Sequence, residues 1–421
     1  MKIIHKVGVY RLGVLISSFL FVGMARPCCA QSKLSLQEAV DQGIKTRASL
    51  KAEAQLVSAA QGLLRQAKLV QNPILQFENQ NLRPGQIYSR DVDTYAYLTQ
   101  PLDVLGKRKQ RIAVAAKEVA NTQAKYELAQ RQIAQDIKRS YWIARGAQEV
   151  RDLLNAAVDN FQKILDYHSA QLTVGAISEQ DFLRIRLEDE RLKIGANLAV
   201  LEATRTRVQL QRAMGQRDFP DLVLEETLEA NQSPIASVSI QEALSQRIEM
   251  RVANAALESA RAKARLEEVA ARPDLSLEFG YKRTQLVDAT AGTNSALAGV
   301  QITLPFLDRN QGNREAANAE VLREEQLLAE TQANVLAEYY SALQEYQLRA
   351  KEVSGILQPL RAHAKEVSEI AQAAYAQGGT DLLRLLDGER ARLDAEVGYV
   401  QGMVAYQQSI VDLEAAEGAT P

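Results

Sequence analysis

Apolar and polar residues alternate strictly in two segments in the second half of the chain. The apolar positions are Leu275, Leu277, Phe279 and Tyr281 in the first segment, and Ala298, Val300, Ile302 and Leu304 in the second. A period of two predicts β-strands with one apolar face and one polar face. Leu75 with Phe77, and Tyr95 with Tyr97, repeat this pattern more weakly in the first half. We therefore predict two strand pairs, with strands of roughly ten residues.

Long segments without this alternation carry apolar residues three and four positions apart, which predicts helices. One helix covers residues 36–69. Two very long helices follow the strand pairs, over residues 106–168 and 313–375, and the second contains Pro359. Each would be on the order of 90 Å long at 1.5 Å per residue. Gly175 and Gly378 are predicted to end them, and Ser178 and Thr380 to cap the returning helices.

The second half of the chain repeats the first at an offset of 200 to 206 residues. Leu36-Gln-Glu-Ala-Val40 returns as Ile240-Gln-Glu-Ala-Leu244, and the segment from Gly175 through Asp181 to Arg184 returns from Gly378 through Asp381 to Arg384. A period this long indicates a duplicated structural unit, not a solenoid repeat. The predicted division is a signal peptide (1–30), a first repeat (31–215), a crossover (216–238), a second repeat (239–418) and a tail (419–421). The fold class is mainly α with a small β part.

The first thirty residues have the pattern of a secretory signal. Lys2, Lys6 and Arg11 precede an uncharged run over residues 12–22, which is too short for a membrane-spanning helix. Cleavage after Ala30 predicts a mature chain that begins at Gln31 and lacks cysteine; cleavage after Ala25 also fits the pattern. The alternative is a lipid anchor on Cys28 or Cys29, but Pro27 is a poor residue before a lipidated cysteine.

Charge and chemistry exclude several function classes. Lys and Arg number 50 against 52 Asp and Glu, and removal of the signal leaves 46 basic residues and a net charge of −6. This balance argues against nucleic-acid binding, and the basic run over residues 107–111 is interpreted as a solvated helix start. Beyond the signal, the histidines are His168 and His363, without metal-ligand spacing. We predict no catalytic residue, no metal site and no cofactor.

The four strands cannot form a complete membrane structure alone. Strands of about ten residues with one apolar face suit the wall of a membrane β-barrel. Four strands cannot close a barrel, and an open sheet edge cannot lie in lipid, so several copies of the chain must share it. Three alternatives are a half-buried hairpin in a soluble domain, a coiled-coil scaffold, and a periplasmic adaptor protein. The two strand pairs argue against a coiled-coil scaffold. The two tandem helical hairpins argue against an adaptor protein, because that class has one helical hairpin flanked by split β-domains.

Together, several weak motifs make a specific pattern. These are Asn72-Pro73 before the first strand, Gln100-Pro101, the paired glycine turns and the duplication. From about Leu34 to Gly418 the chain resembles the TolC-like outer-membrane efflux family. The resemblance implies a homotrimer with a twelve-stranded β-barrel in the outer membrane above a hollow periplasmic α-barrel. It also implies a passive exit duct, whose partners are a periplasmic adaptor protein and an inner-membrane RND-type pump.

Two local motifs resemble the CzcC-like branch of that family, which serves heavy-metal efflux pumps. They are Leu98-Thr-Gln-Pro-Leu-Asp-Val-Leu-Gly106-Lys-Arg and Leu304-Pro-Phe-Leu-Asp308-Arg-Asn-Gln-Gly312-Asn. This resemblance implies export of divalent metal cations. Export of drugs or type I secretion of proteins are the alternatives, because channels that serve those systems share much of the pattern.

The resemblance also implies functional residues at the far end of the helices. Asp387 matches a carboxylate that lines the periplasmic mouth, whereas Arg384 stands where some members carry another acid. With Asp381, these residues form the predicted periplasmic gate; an exposed ion pair three residues apart is the alternative interpretation. The turns at Gly175, Ser178, Gly378 and Thr380 are the predicted contacts with the adaptor protein.

Overall fold

Helices and strands occur twice in the same order in the computed structural model, which describes residues 32–85, 92–229, 239–285 and 292–419. The first half contains β1 (Ser32–Leu34), α1 (Leu36–Thr46), α2 (Ala48–Ala67), β2 (Ile74–Gln80), β3 (Asp93–Leu102), α3 (Lys107–Thr173), α4 (Glu179–Ala213) and β4 (Leu222–Leu224). The second contains α5 (Ile240–Gln246), α6 (Ile248–Ala270), β5 (Leu275–Thr284), β6 (Thr293–Ile302), α7 (Gln311–Glu352), a π-helical turn (Val353–Leu357), α8 (Gln358–Ala376) and α9 (Leu382–Glu417). The predicted signal peptide, Cys28, Cys29 and Gln31 lie outside the described residues.

The predicted helix over residues 36–69 is wrong in one respect, because it is broken at Arg47. This residue has an extended backbone (φ −62°, ψ 120°), and its guanidinium donates to the carbonyl of Ala213 at 3.1 Å. The break therefore places the start of α2 against the end of α4. Arg247 repeats the arrangement between α6 and α9 by donating to the carbonyl of Ala415 at 3.3 Å. Each pair of shorter helices thus lies in succession beside a long one.

The second long helix is not continuous, contrary to the prediction for residues 313–375. The π-helical turn separates α7 from α8, and Pro359 follows it at the start of α8. Proline has no backbone N–H, and its ring clashes with the carbonyl four residues earlier. The wider π turn makes room for the Pro359 ring, so α8 continues from α7 without a break in the chain's helical course. The equivalent α3 is an unbroken helix of 67 residues, about 100 Å long.

The helices form one layer with two free edges. Near the strands, α3 packs between α2 and α6, and α7 packs on the other side of α6. Farther along α3, its neighbours are α4 and α9, and α9 in turn contacts α7 and α8. Helices α2 and α4 therefore form one edge of the layer, and α7 with α8 forms the other.

The four long strands form an antiparallel sheet in the order β2-β3-β5-β6. Leu98 pairs with Phe279, and Phe279 pairs with Ala298, so the apolar positions of successive strands share a face. The predicted strand pairs are confirmed, although β2 has only seven residues and Leu304 lies beyond the end of β6. The prediction that Tyr95 and Tyr97 belong to the apolar face is wrong, because the register places them on the opposite face, beside Lys282 and Gly280. Strands β2 and β6 are the free edges. One side of the duplicated unit therefore ends in β2, α2 and α4. The other side ends in β6, α7 and α8.

A hydrophobic core holds the middle of α3 against a small parallel sheet of β1 and β4. Tyr141 of α3 is fully buried there, and its hydroxyl lies 2.7 Å from Oε2 of Glu226 and 2.9 Å from the carbonyl of Leu34. Burial and the Glu226 carboxylate raise the pKa of Tyr141, so the phenol stays protonated and can donate. This contact ties the start of the crossover to the long helix.

Candidate functional site

One face of the four-stranded sheet is apolar over most of its length. The cross-strand register places on it Leu75, Phe77, Ala96, Leu98, Leu102, Leu275, Leu277, Phe279, Tyr281, Ala296, Ala298, Val300 and Ile302. Phe279 is 55% exposed and Val300 60% exposed, so no part of the chain that the structure describes covers this face. Gln100, which pairs with Leu277 near the end of the sheet that leads into α3, is a polar residue on this face. Such a face matches the lipid-facing side of a membrane β-barrel.

The opposite face of the sheet is polar and carries four charged residues. They are Glu78, Asp93, Glu278 and Lys282, three negative charges and one positive charge. Lys282 Nζ lies 3.3 Å from Oδ2 of Asp93 and 5.0 Å from the centre of the Tyr95 ring. In a closed barrel, this polar face would line the lumen.

The two glycine turns lie at the ends of the helical hairpins farthest from the sheet. Gly175 and Gly378 have φ of +71° and +73°, and no atom lies within 4 Å of the position that a Cβ would take. The backbone N–H of Ala176 donates to the carbonyl of Gln171 at 2.9 Å, and that of Gly379 to Ala374 at 2.8 Å. These bonds close each helix with the left-handed residue for which glycine is favoured. The predicted helix ends are therefore confirmed.

Of the two predicted caps of the returning helices, Ser178 is confirmed and Thr380 is wrong. Ser178 caps α4 by accepting the backbone N–H of Asp181 at 3.1 Å. Thr380 does not cap α9, because Asp381 takes that position and accepts the backbone N–H of Arg384 at 3.0 Å. Ser178 and Asp381 are thus structural equivalents, and the predicted equivalence of Asp181 with Asp381 is wrong.

The predicted gate residues do not form one cluster within the chain. Asp381 acts as the cap of α9. In the first hairpin, Asp181 and Arg184 have the same spacing in sequence and form an exposed ion pair at 3.8 Å. The side chain of Asp387 is 73% exposed and lies 3.8 Å from Arg390. The guanidinium of Arg390 is oriented instead by Glu188, to which its Nε donates at 2.8 Å. Asp387 therefore remains available to a solvent-filled space or to another chain.

Two contacts between the hairpins near these turns were not predicted from the sequence. Hydrogen bonding to Glu188 raises the pKa of Arg390, and this pair joins α4 to α9. His168 is buried; its Nδ1 donates to the carbonyl of Ile164 at 2.7 Å, and its Nε2 accepts from the Tyr375 hydroxyl at 2.8 Å. Burial raises the pKa of Tyr375. The available signal was His168 itself, an unusual residue on an Ala-rich helix.

A buried carboxylate fastens the second hairpin just behind its turn. Glu389 of α9 accepts from the Ser368 hydroxyl of α8 at 2.6 Å and from Nη2 of Arg392 at 3.1 Å. Burial alone would raise the pKa of Glu389, but the hydrogen bonds from Ser368 and Gln372 and the charge of Arg392 lower it overall. This contact fixes α8 against α9 and so sets where Asp387 projects.

Neither a membrane-spanning helix nor a cluster of metal ligands occurs in the part of the chain that the structure describes. Over residues 32–85, 92–229, 239–285 and 292–419, no helix is long and apolar enough to cross a membrane. In the same part of the chain, no group of three or more His, Cys, Asp or Glu side chains is placed to hold a metal ion.

The sequence profile of a family described as outer membrane efflux protein matches residues 39–216 and 239–419. The chain belongs to this family. The predicted localisation in the outer membrane is thereby confirmed, as is the expectation of an efflux channel and not an enzyme. The two matched segments cover most of both halves of the chain, from α1 to the residue after Gly215 and from the cap of α5 to the end of α9.

Individual relatives agree with this assignment. The chain is 23% identical over 371 residues to the cobalt-zinc-cadmium resistance protein CzcC of Cupriavidus metallidurans, covering 88% of this chain and 87% of the relative. A CusC crystal structure has a TM-score of 0.74 at 20% identity and covers 91% of this chain and 92% of that chain. The open-state MtrE outer membrane channel of Neisseria gonorrhoeae has a TM-score of 0.73 at 18% identity, covering 91% and 89%. The predicted fold class is confirmed.

Proposed function

We propose that this protein is the trimeric exit duct of a tripartite efflux system, which passes divalent heavy-metal cations to the exterior. A periplasmic adaptor protein and an inner-membrane RND-type pump would deliver them. In this proposal residues 31–215 and 239–418 are two repeats, and each repeat supplies one edge of the assembly. The observation that carries the proposal is the pair of free edges, β2 and β6, on a sheet whose one face is apolar.

Closure by several copies follows from those edges. An unpaired strand edge cannot lie in lipid, so β6 of one chain must pair with β2 of the next around a ring. Two copies would give eight strands, whose interior is just wide enough for side chains. Three copies give twelve strands and leave room for a lumen, which favours the trimer that the resemblance implies.

The helical layer supports the same arrangement. Exposed apolar residues three, four, seven or eight positions apart follow both of its edges, as in helices that pack against a partner. On α4 they are Leu183, Leu187, Ile194, Leu198 and Leu201; on the other edge they are Leu348, Ile356, Leu360, Val367 and Ile370. In a ring, α4 of one chain would cover the π turn and α8 of its neighbour. The same ring would then close the sheet and the helical layer together.

The charge of the polar face favours cations as cargo. Glu78, Asp93 and Glu278 outnumber Lys282 there, so the lumen would attract cations and repel anions. The relative CzcC is named as a cobalt-zinc-cadmium resistance protein, which agrees with the metal-efflux motifs.

The test is growth of a strain that lacks this gene but keeps its pump and adaptor. Restored tolerance to zinc, cobalt or cadmium supports the proposal, whereas restored tolerance to drugs alone contradicts the metal cargo.

A first prediction concerns the gate. Three copies of Asp387 around a narrow axis would repel one another and attract cations, so Asp387→Ala should weaken block by divalent cations severalfold in planar-bilayer recordings. Arg384→Ala should make the pore leakier or more cation-selective. Asp394→Ala, two helical turns farther along the same face of α9, is the distance control and should weaken block less. Identical conductance, selectivity and block in the Asp387 and Arg384 variants would place both residues outside the lumen.

A second prediction concerns contact of the glycine turns with the adaptor. A Cβ atom at Gly175 or Gly378 would point into open space, so a bulky side chain can extend away from the turn. A residue other than glycine in this left-handed conformation would destabilise the turn by about 1–2 kcal/mol. Gly175→Trp and Gly378→Trp should therefore abolish efflux while the protein still assembles in the outer membrane. Gly→Asn variants, which tolerate this backbone, should retain most efflux. Misassembly of the Trp variants would show that the turns are structural only.

A further inference from the structure

We propose that Lys282, held against the wall by Asp93 and Tyr95, sets the charge selectivity of the β-barrel lumen near its outer end. This inference rests on the proposed trimeric channel. It concerns a position far from the predicted periplasmic gate, because the sheet and the glycine turns lie at opposite ends of α3. The duct would then have a second selective segment, built from the strands themselves.

The position follows from the strand directions. Leu102 and Ile302 end β3 and β6 at the side of the sheet that leads into α3 and α7. Asp93 is the first residue of β3 and Lys282 the third from the end of β5, so both lie at the side of the sheet remote from the helices. With the periplasmic helices below, this side is the exit of the barrel.

The local contacts hold the ammonium group close to the wall. Nζ of Lys282 is 3.3 Å from Asp93 Oδ2, and the two side chains are only 28% and 15% exposed. The ring of Tyr95 lies 5.0 Å below the ammonium, within the range of a cation–π contact. Lys282 therefore neutralises Asp93. Glu78 lies on the same rung of the sheet, paired with Tyr95 on the strand beyond it, and Glu278 lies four residues farther down β5. Removing Lys282 would expose three Asp93 carboxylates, one from each chain, at the exit.

The size of the barrel decides whether such a ring can act on passing ions. Twelve strands about 4.8 Å apart and tilted by about 40° enclose a radius of about 12 Å, and side chains reduce it further. The Debye length is about 10 Å at 0.1 M salt and about 3 Å at 1 M. The ring should therefore govern selectivity at 0.1 M salt and be screened at 1 M.

Arg283 offers a matched control, because it is the next residue of β5 and carries the same charge. The register places it on the face of Phe279 and Tyr281, opposite to Lys282. Arg283→Ala thus removes one positive charge per chain at the same height of the barrel but outside the lumen. Lys282→Arg preserves the charge at the lumenal position and serves as the conservative variant.

The experiment is reversal-potential measurement across planar bilayers in a KCl gradient centred on 0.1 M. Lys282→Ala should raise the cation-to-anion permeability ratio about twofold or more, and Asp93→Asn should lower it. The double variant Lys282→Ala/Asp93→Asn, Lys282→Arg and Arg283→Ala should each resemble the wild type. The difference should shrink in 1 M KCl.

The outcomes separate this inference from the proposed function. Wild-type protein that forms no channels would contradict the proposed function itself. Wild-type channels with an unchanged permeability ratio in Lys282→Ala would overturn only the inference. An equal shift in Arg283→Ala would also overturn it, because the effect would then not come from the lumenal face. A lost shift in the double variant would confirm that Lys282 and Asp93 act as a pair.

Discussion

Replacing Phe279 with arginine should prevent the protein from entering the outer membrane. Phe279 is the fifth of ten residues in β5 and pairs with Leu98 and Ala298 in the centre of the apolar face. An arginine on the lipid face at the bilayer midplane costs about 2–4 kcal/mol per chain, and a trimer would carry three. Membrane fractionation should therefore find Phe279→Arg outside the outer membrane or degraded.

Glu278→Arg is the matched control, because Glu278 is the preceding residue and lies on the polar face. This variant should insert like the wild type and make the lumen less cation-selective. If both variants insert equally well, the apolar face does not contact lipid. Failure of Glu278→Arg alone would reverse the assignment of the two faces.

The second large effect is expected at the edge of the helical layer. Ile194 and Leu198 of α4 are 62% and 61% exposed in the single chain, yet the ring would bury them against the π turn and α8 of the neighbour. Full burial of such a side chain stabilises by about 1.5–3 kcal/mol, and a buried unpaired carboxylate is strongly unfavourable. The double variant Ile194→Glu/Leu198→Glu should therefore lose the trimer in detergent, as measured by light scattering.

The double variant Ile194→Met/Leu198→Met keeps apolar side chains at the same two positions, so it is the matched control and should leave the trimer intact. Circular dichroism should show the same helix content in all variants, because these side chains contact little within their own chain. A stable trimer of the double variant would mean that another surface joins the copies.

The elements were predictable where one local signal dominates. Strict alternation in β5 and β6 defined both strands and their apolar face, because a half-buried or lipid-facing strand requires a period of two. The breaks at Arg47 and Arg247 were not predictable, since arginine favours helices and no proline or glycine marks either site. Those breaks depend on carbonyl groups of α4 and α9 that are distant in sequence. Pro359 was visible, but whether it would kink, end or widen the helix depended on its packing.

The candidate site was less predictable than the fold. The glycine turns follow from local backbone rules, whereas the cap at Asp381 required the exact first residue of α9. The Lys282 contacts need the register between β3 and β5, which alternation alone does not define. The surroundings of Asp387 depend on neighbouring chains, so the sequence identifies the residue but not the groups that it faces.

Native mass spectrometry of the protein, extracted from outer membranes in mild detergent, tests the central claim most directly. The four strands of one chain leave two edges that only other copies can satisfy. We expect one dominant species with three times the mass of the mature chain, dissociating into single chains on activation. A dominant monomer or dimer from membranes in which the channel is active would contradict the trimeric duct.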